Sequence, residues 1–326
     1  MTLTNYGLLT ILLLGLELLY IRLARHFRLF DVPNGRSLHQ TTRTVRGGGI
    51  IVYLAVLTMV LSVPFNQPWF FGGLTVVVLI SFGDDVAGIP VRFRFFAQSI
   101  AISMLLIQTH TSSTDWWLFL GLLVLGVAII NAYNFMDGIN GMTAFYSLLT
   151  IGTLWYLQRD EMDSRSPILY PFVFVALLVF SFFNARPKAI CFAGDVGSIG
   201  IGFIMLYNLL TVINEQHTYL PLLLLAVYGA DSLLTIVYRI HRRQNIFRAH
   251  QSHLYQLLIS QRGWPHLGVA AGYAFMQAGI NGLVLRALDW SAVHQFMLAV
   301  LISGFLSICY VITRKKIISP QKEAIL

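Results

Sequence analysis

Residues 116–138 read WWLFLGLLVLGVAIINAYNFMDG. From Trp116 to Ile130 every position is apolar or glycine, and then Asn131, Asn134 and Asp137 follow at one-turn spacing. A helix would stack those three polar side chains on one face. A bilayer-crossing helix needs about 20 mainly apolar residues, which this stretch supplies. Amides and a carboxylate turned toward lipid would be costly, so they should face protein, metal or ligand.

Comparable apolar stretches recur outward in both directions, near 3–24, 47–64, 70–83, 96–110, 141–158, 168–184, 197–213, 218–238, 266–286 and 292–312. With the first, that makes eleven. Composition agrees: of 326 residues, 56% are apolar or aromatic and 11% charged, against roughly 25% charged in an ordinary soluble domain. Mean hydropathy is +0.70. The expected fold is all-α, a polytopic integral membrane protein of about eleven transmembrane helices forming a single domain over residues 1–326, its first segment retained rather than cleaved. Two cysteines, Cys191 and Cys309, are too few for a disulfide scaffold.

The charges orient the chain. With the N-terminus outside, all of the 22 Lys and Arg fall in inside connections except Arg159, Arg165 and Arg286. The N-terminus is therefore expected to be periplasmic and the C-terminus cytoplasmic. The formal charge of +8 reads as a topology signal rather than a nucleic-acid surface. The outside connections are short or bland, whereas the inside ones carry carboxylates, asparagines, glycines and histidines.

Five inside segments carry the chemistry. Residues 31–50 read DVPNGRSLHQTTRTVRGGGI, where Arg36, His39, Arg43 and Arg46 adjoin the Gly47–Gly49 run and suggest phosphate contact. Residues 82–98 place Asp84 and Asp85 side by side at the end of an apolar run, where joint ionisation calls for a positive partner such as a divalent cation. In the same segment Arg92 and Arg94 alternate with Phe93, Phe95 and Phe96, a pattern suited to lipid headgroups. Asn131, Asn134, Asp137 and Asn140 form the third set, and Asp195 among Gly194, Gly197, Gly200 and Ser198 the fourth. The fifth spans 238–264 and holds Arg242, Arg243, Arg248, His250 and His253. Its two histidines would share a helix face, and the arginines favour phosphate recognition over a metal pair. Asp231, within the preceding apolar run, is either a ligand-facing acid or the partner of a neighbouring span. Carboxylate oxygens suit a hard cation such as Mg²⁺, and with the arginines they imply phosphoryl chemistry at a membrane edge. A transporter of an anionic or phosphorylated solute is the competing class, but its central sites would lie near the midplane.

Taken together, these segments resemble the polyprenyl-phosphate N-acetylhexosamine-1-phosphate transferases. The matching pieces are Asp31-Val-Pro-Asn with Arg36 and His39, Arg46-Gly-Gly, Gly83-Asp-Asp, Asn131-x-x-Asn134-x-x-Asp137-Gly, Gly194-Asp195-x-Gly-Ser198 and the histidine loop ending at Gly263-Trp264. They run in family order across residues 31–264. The resemblance implies transfer of a sugar 1-phosphate from a UDP-sugar to undecaprenyl phosphate, with release of UMP, at the cytoplasmic face of a bacterial inner membrane. It implies Mg²⁺, with Mn²⁺ as a substitute, and leaves a homodimer open. By match, Asp84 corresponds to the acid that orients the lipid phosphate, Asp85 and Asp137 to acids near metal and nucleotide, and Asp195 to a metal ligand, making Asp85 and Asp195 the expected metal pair. Asn140 stands where the family often has a second acid. The segment AHQSHLYQ at 249–256 lacks three consecutive histidines and looks more like the branch that begins O-antigen chains than the peptidoglycan branch.

Overall fold

A computed structural model describes residues 3–31, 44–109, 115–159, 168–245 and 250–317. All eleven apolar stretches are helical. In chain order the helices are α1 (Leu3–His26), α2 (Ile50–Ser62), α3 (Pro68–Ala87), α4 (Val91–Gln108), α5 (Trp116–Met136), α6 (Met142–Leu157), α7 (Leu169–Asn184), α8 (Gly194–Gln216), α9 (Ala226–His241), α10 (Leu254–Arg262), α11 (His266–Ala287) and α12 (Ala292–Ile317). A 3₁₀ turn, Leu220–Leu225, leads into α9. Eight of these units are long and apolar enough to cross a bilayer, counting the turn with α9, while α2, α6 and α7 are shorter apolar helices. The chain is thus an all-α, multi-pass membrane protein. Leu79, Val124, Phe275, Phe296 and Phe305 are more than half exposed on its outer surface, a belt that only lipid would cover favourably.

Punctuation follows local chemistry. Pro68 opens α3, and Pro90 and Pro265 precede α4 and α11, positions where a missing N–H costs nothing. The Asp115 carboxylate caps α5 by accepting from the Trp117 N–H at 3.0 Å.

Helix α8 is the axle of the bundle. It is 94% buried, against 17–50% for the other long helices, and packs against α2, α3, α5 and α6. Its glycines make this possible: a Cβ on Gly197 would lie 2.6 Å from the Gly49 Cα, and one on Gly49 would lie 2.5 Å from the Gly197 Cα. The α2 and α8 backbones therefore touch directly. A small ladder locks the same region. Strand β1 (Phe30–Asp31) pairs antiparallel with β2 (Thr44–Val45), and Val45 bridges Cys191. The Gly48 and Gly49 N–H groups then donate to the carbonyls of Phe192 and Ala193 at 2.8 and 3.1 Å.

The Gly48 and Gly49 amides are engaged by backbone, and these glycines serve close packing. One expectation is corrected here: His250 and His253 share no helix, since His253 is the N-cap of α10 and His250 precedes it in irregular chain.

Gly197→Ala should cost about 1–3 kcal/mol through overpacking. Thermal unfolding in detergent should show it melting below both the parent and Gly7→Ala, whose added methyl meets nothing within 4 Å.

Candidate active site

The acids from separate segments converge at one end of the bundle. Asp84 and Asp85 occupy the last turn of α3, Asp195 the first turn of α8, and Arg46 the chain just before α2. Asp85 reaches across to cap α8. Its Oδ1 accepts from the Asp195 N–H and its Oδ2 from the Val196 N–H, both at 3.0 Å. No side chain of α8's own N-cap does this, and the helix dipole favours an anion there. Gly194, at φ +71°, is required beside it, since a Cβ would fall 2.6 Å from Asp85 Oδ2.

Two guanidiniums tie the acids together. Arg46 Nε pairs with Asp85 Oδ1 at 2.7 Å, and its Nη2 lies 3.4 Å from Asp195 Oδ1. Arg94 Nη1 pairs with Asp84 Oδ2 at 2.6 Å and lies 3.2 Å from Asp195 Oδ2. Asp84 Oδ1 accepts from the Ile89 N–H at 2.6 Å, fixing the turn that leads into α4. Tyr20 holds Arg46 from behind, its hydroxyl donating to the Arg46 carbonyl at 2.7 Å. Burial would pull the Arg46 guanidinium down, but Asp85, Asp195, Asp31 and Asp84 outweigh it and hold its pKa above the ordinary value.

Arg94 is a correction to the sequence reading, which gave it to lipid headgroups. It belongs to the acid cluster, while Arg92 is exposed beside the Phe93 ring. The sequence carried a signal for this. The Gly88-Ile89-Pro90 break reverses the chain, so the first turn of α4 must lie beside the last turn of α3.

The amide face of α5 points into protein, as expected, but its members diverge. Asn131 donates to Gln98 Oε1 and the Val127 carbonyl, each at 2.8 Å. Asn134 Oδ1 accepts from the Ser198 hydroxyl at 3.2 Å, next to Asp195. Asp137, just past the end of α5, accepts from Thr143 Oγ1 at 2.6 Å. Burial, chiefly, raises its pKa to about 7; Asp85 and Asp31 push the same way, against the Thr143 hydrogen bond and Arg46. Asn140 is buried and donates to the carbonyls of Arg186 and Pro187 at 2.7 and 3.3 Å, which makes it a pin for that loop. Asn184, unnoticed in the sequence, does similar work on the Gly141 N–H and the Cys191 carbonyl.

The histidine segment is docked on the same end. The His250 and His253 rings stack with centroids 5.0 Å apart, and His253 is 6.0 Å from the Phe135 ring. Asp231 holds this segment from α9, accepting from the N–H groups of Leu254 and Tyr255 at 2.9 and 3.3 Å, with His253 Nδ1 at 3.4 Å. Asp231 is therefore an inter-helix cap, the partner role among the two readings. Tyr255 then donates to the Phe135 carbonyl at 2.9 Å, beside Asp137. Arg242 and Arg243 are exposed at the end of α9. Arg36, His39, Arg43 and Arg248 lie outside the described residues.

Among the described residues, no three His, Cys, Asp or Glu side chains converge on one metal position. The chemistry of the donor set nevertheless fits a hard cation, being oxygen-only, with three carboxylates facing two guanidiniums. Asp195 has the longest arginine contacts of the three and thus the most available oxygens. On Asp85 one oxygen already carries two donors.

The glycosyl transferase family 4 model matches residues 68–213, a stretch containing Asp84, Asp85, Asn131, Asp137 and Asp195. A probable undecaprenyl-phosphate N-acetylglucosaminyl 1-phosphate transferase of Bacillus subtilis is 24% identical over 260 residues, covering 73% of this chain and 72% of that protein. The undecaprenyl-phosphate alpha-N-acetylglucosaminyl 1-phosphate transferase of Yersinia pestis is 26% identical over 331 residues, covering 91% and 90%. Over most of its length the chain is thus similar to undecaprenyl-phosphate N-acetylglucosaminyl 1-phosphate transferases. A phospho-N-acetylmuramoyl-pentapeptide-transferase of Dictyoglomus thermophilum is also similar, 26% identical over 279 residues, with 77% of this chain and 86% of that protein covered. These relatives are transferases by name and come from bacteria, and the multi-pass chain fits a bacterial inner membrane.

Because Asp137 has a raised pKa, its contribution to stability is complete in acid and is lost as pH rises through about 7. With chelator present, the melting temperature should fall between pH 5 and 7.5. Asp137→Asn should flatten that fall by up to ~1.4 kcal/mol per pH unit; identical slopes would show that Asp137 does not titrate there.

Proposed function

We propose that this chain transfers an N-acetylhexosamine 1-phosphate, or a related deoxyamino sugar 1-phosphate, from a UDP-sugar to undecaprenyl phosphate. UMP is released, and the lipid-linked product begins an O-antigen or other cell-envelope polysaccharide. The observation that carries this reading is the convergence of Asp84, Asp85 and Asp195 with Arg46 and Arg94 at a helix end. It joins cation-binding oxygens to phosphate-binding guanidiniums beside lipid. The glucosaminyl names of the relatives support this class of donor. The absence of three consecutive histidines at 249–256 favours the O-antigen branch over the peptidoglycan one.

In this proposal the residues divide the work. Asp195 would hold Mg²⁺, or Mn²⁺ in its place, with Asp85 as the second candidate. The bound cation supplies neutralisation of the donor diphosphate and so eases departure of UMP. Arg46 and Arg94 release their carboxylates in part to take phosphate oxygens. Asp84, held by the Ile89 N–H, aims the lipid phosphate at the donor phosphorus; that phosphate is already anionic near neutral pH. Asn134 and Asp137 line the nucleotide side, with the stacked His250 and His253 beside them and Arg242 and Arg243 on the approach; Arg248 is assigned to phosphate from the sequence alone. Arg36 and His39 complete the phosphate contacts. Asn131 and Asn140 act through the helix and loop they secure.

We further propose a single transferase domain of eleven crossings, N-terminus periplasmic and C-terminus cytoplasmic, with the site on the cytoplasmic face. The distribution of Lys and Arg supports this orientation. Reporter fusions after Arg28, Arg165, Arg248 and Lys316 should read inside, outside, inside and inside; an outside signal after Arg248 would overturn the topology.

Purified protein given undecaprenyl phosphate and a panel of UDP-sugars should form UMP and lipid-linked sugar, and chelator should abolish both. Asp195→Asn should cut turnover by roughly 10²–10³-fold, the scale for losing a group that stabilises transition-state charge. Release of inorganic phosphate, or transport of the UDP-sugar without lipid acceptor, would refute the transferase reading.

A further inference from the structure

Helices α11 and α12 are consecutive, yet α12 rests on α9 and α10 rather than along α11. The resulting gap is a groove of about 240 Å³. Gly272 and Met276 of α11 form one wall, Leu306 and Cys309 of α12 the other, and Leu258 and Trp264 the end at α10. It is open to the outer surface at Gly272, where a Cβ would meet nothing within 4 Å. The polar atoms at its floor are already engaged. The Tyr273 hydroxyl donates to Asp231 at 2.6 Å, and the Tyr310 hydroxyl bonds Thr235 at 2.8 Å while accepting from Arg314 at 2.7 Å. A ligand in the groove would therefore meet ring faces and aliphatic carbon, the surroundings of a hydrocarbon chain.

The α10 end of the groove is cationic. Arg262 donates to the Lys316 carbonyl, which joins the end of α10 to the end of α12. Lys315 and Lys316 are exposed there. Arg314 beneath them is buried, its Nε and Nη2 without a hydrogen-bond partner among the described residues and its guanidinium 3.7 Å over the Tyr238 ring. Among the described residues no carboxylate pairs with any of these four. An apolar slot ending in cations that no carboxylate meets among the described residues, with the half-exposed Trp264 at its mouth, complements a lipid that is both anionic and chain-bearing.

We propose that this groove binds an anionic phospholipid, one acyl chain lying between α11 and α12 and the headgroup phosphate resting against Arg262, Lys315 and Lys316. The site shares no residue with the acid cluster and requires only that the chain lie in a bilayer. Its consequence is mechanical. The lipid would clamp the far end of α10, whose near end carries His253.

Native mass spectrometry of the full chain in neutral detergent, titrated with phosphatidylglycerol, cardiolipin or phosphatidylcholine, reads the site directly. The anionic lipids should bind more tightly than phosphatidylcholine, and Lys315→Gln and Lys316→Gln should each weaken them about fivefold, equivalent to ~1 kcal/mol per charge. Gly272→Phe should fill the groove and abolish the tight lipid. Gly279→Phe, also exposed on α11 with nothing within 4 Å of an added Cβ, should retain it. The parent chain offers an independent readout, since Cys191 is fully buried while Cys309 lines the groove. Alkylation of Cys309 should slow several-fold when phosphatidylglycerol is added. Equal binding of phosphatidylcholine, indifference to Gly272→Phe, or stoichiometric displacement of the phospholipid by undecaprenyl phosphate would each overturn the proposal.

Discussion

The carboxylate of Asp85 on the first amides of α8 is the interaction on which the arrangement depends. It sits at the end of one apolar helix and accepts two N–H groups from the start of another, with Arg46 at 2.7 Å from the same carboxylate. An ionised acid at a membrane edge is tolerable only where its charge is met. Here the helix dipole, two amides and a guanidinium meet it together. Fixing α8 in this way fixes Asp195, its second residue, and through the Gly49–Gly197 contact it fixes the start of α2 just after Arg46. Three carboxylates then share two guanidiniums, leaving a negative excess that a divalent cation would relieve.

The same device recurs in the second half of the site. Asp231 caps α10 from α9 by accepting two consecutive backbone amides, as Asp85 does for α8. In both cases a buried acid from a neighbouring helix secures an N-terminus that carries site residues behind or beside it. Tyr255 closes the loop between the two halves by bonding the end of α5 next to Asp137. Removing either acid would leave buried donors unmet and displace a whole segment, so substitutions at these positions report on placement as well as on chemistry.

Hydropathy made the helices legible, because a bilayer imposes one length and one polarity on every crossing. All eleven apolar stretches are helices, although α2, α6 and α7 are shorter than the rest. The acids Asp84, Asp85, Asp137 and Asp195 were legible because a carboxylate at the end of an apolar run needs a reason to be there. What escaped was direction. Arg94 looked like its neighbour Arg92 because both sit among phenylalanines, and only the reversal at Pro90 separates them. Asn131 and Asn140 looked like ligand contacts because an amide's partner cannot be read from spacing; one holds Gln98 and the other a backbone loop. The role of the glycines at 47–49 also escaped: the Gly48 and Gly49 amides meet the chain at 192–193. That pairing joins segments far apart in sequence and leaves no local pattern.

If Asp195 holds the divalent cation, Arg94 competes with that cation for the Asp195 carboxylate. Mn²⁺ binding followed by electron paramagnetic resonance, in the parent chain and in Arg94→Gln, tests it most directly. Removing the guanidinium frees the Asp195 oxygen it faces, so a single Mn²⁺ site should form whose affinity rises about tenfold or more, the order expected when a partly buried charge loses its counter-ion. Unchanged or weaker Mn²⁺ binding in Arg94→Gln would contradict it.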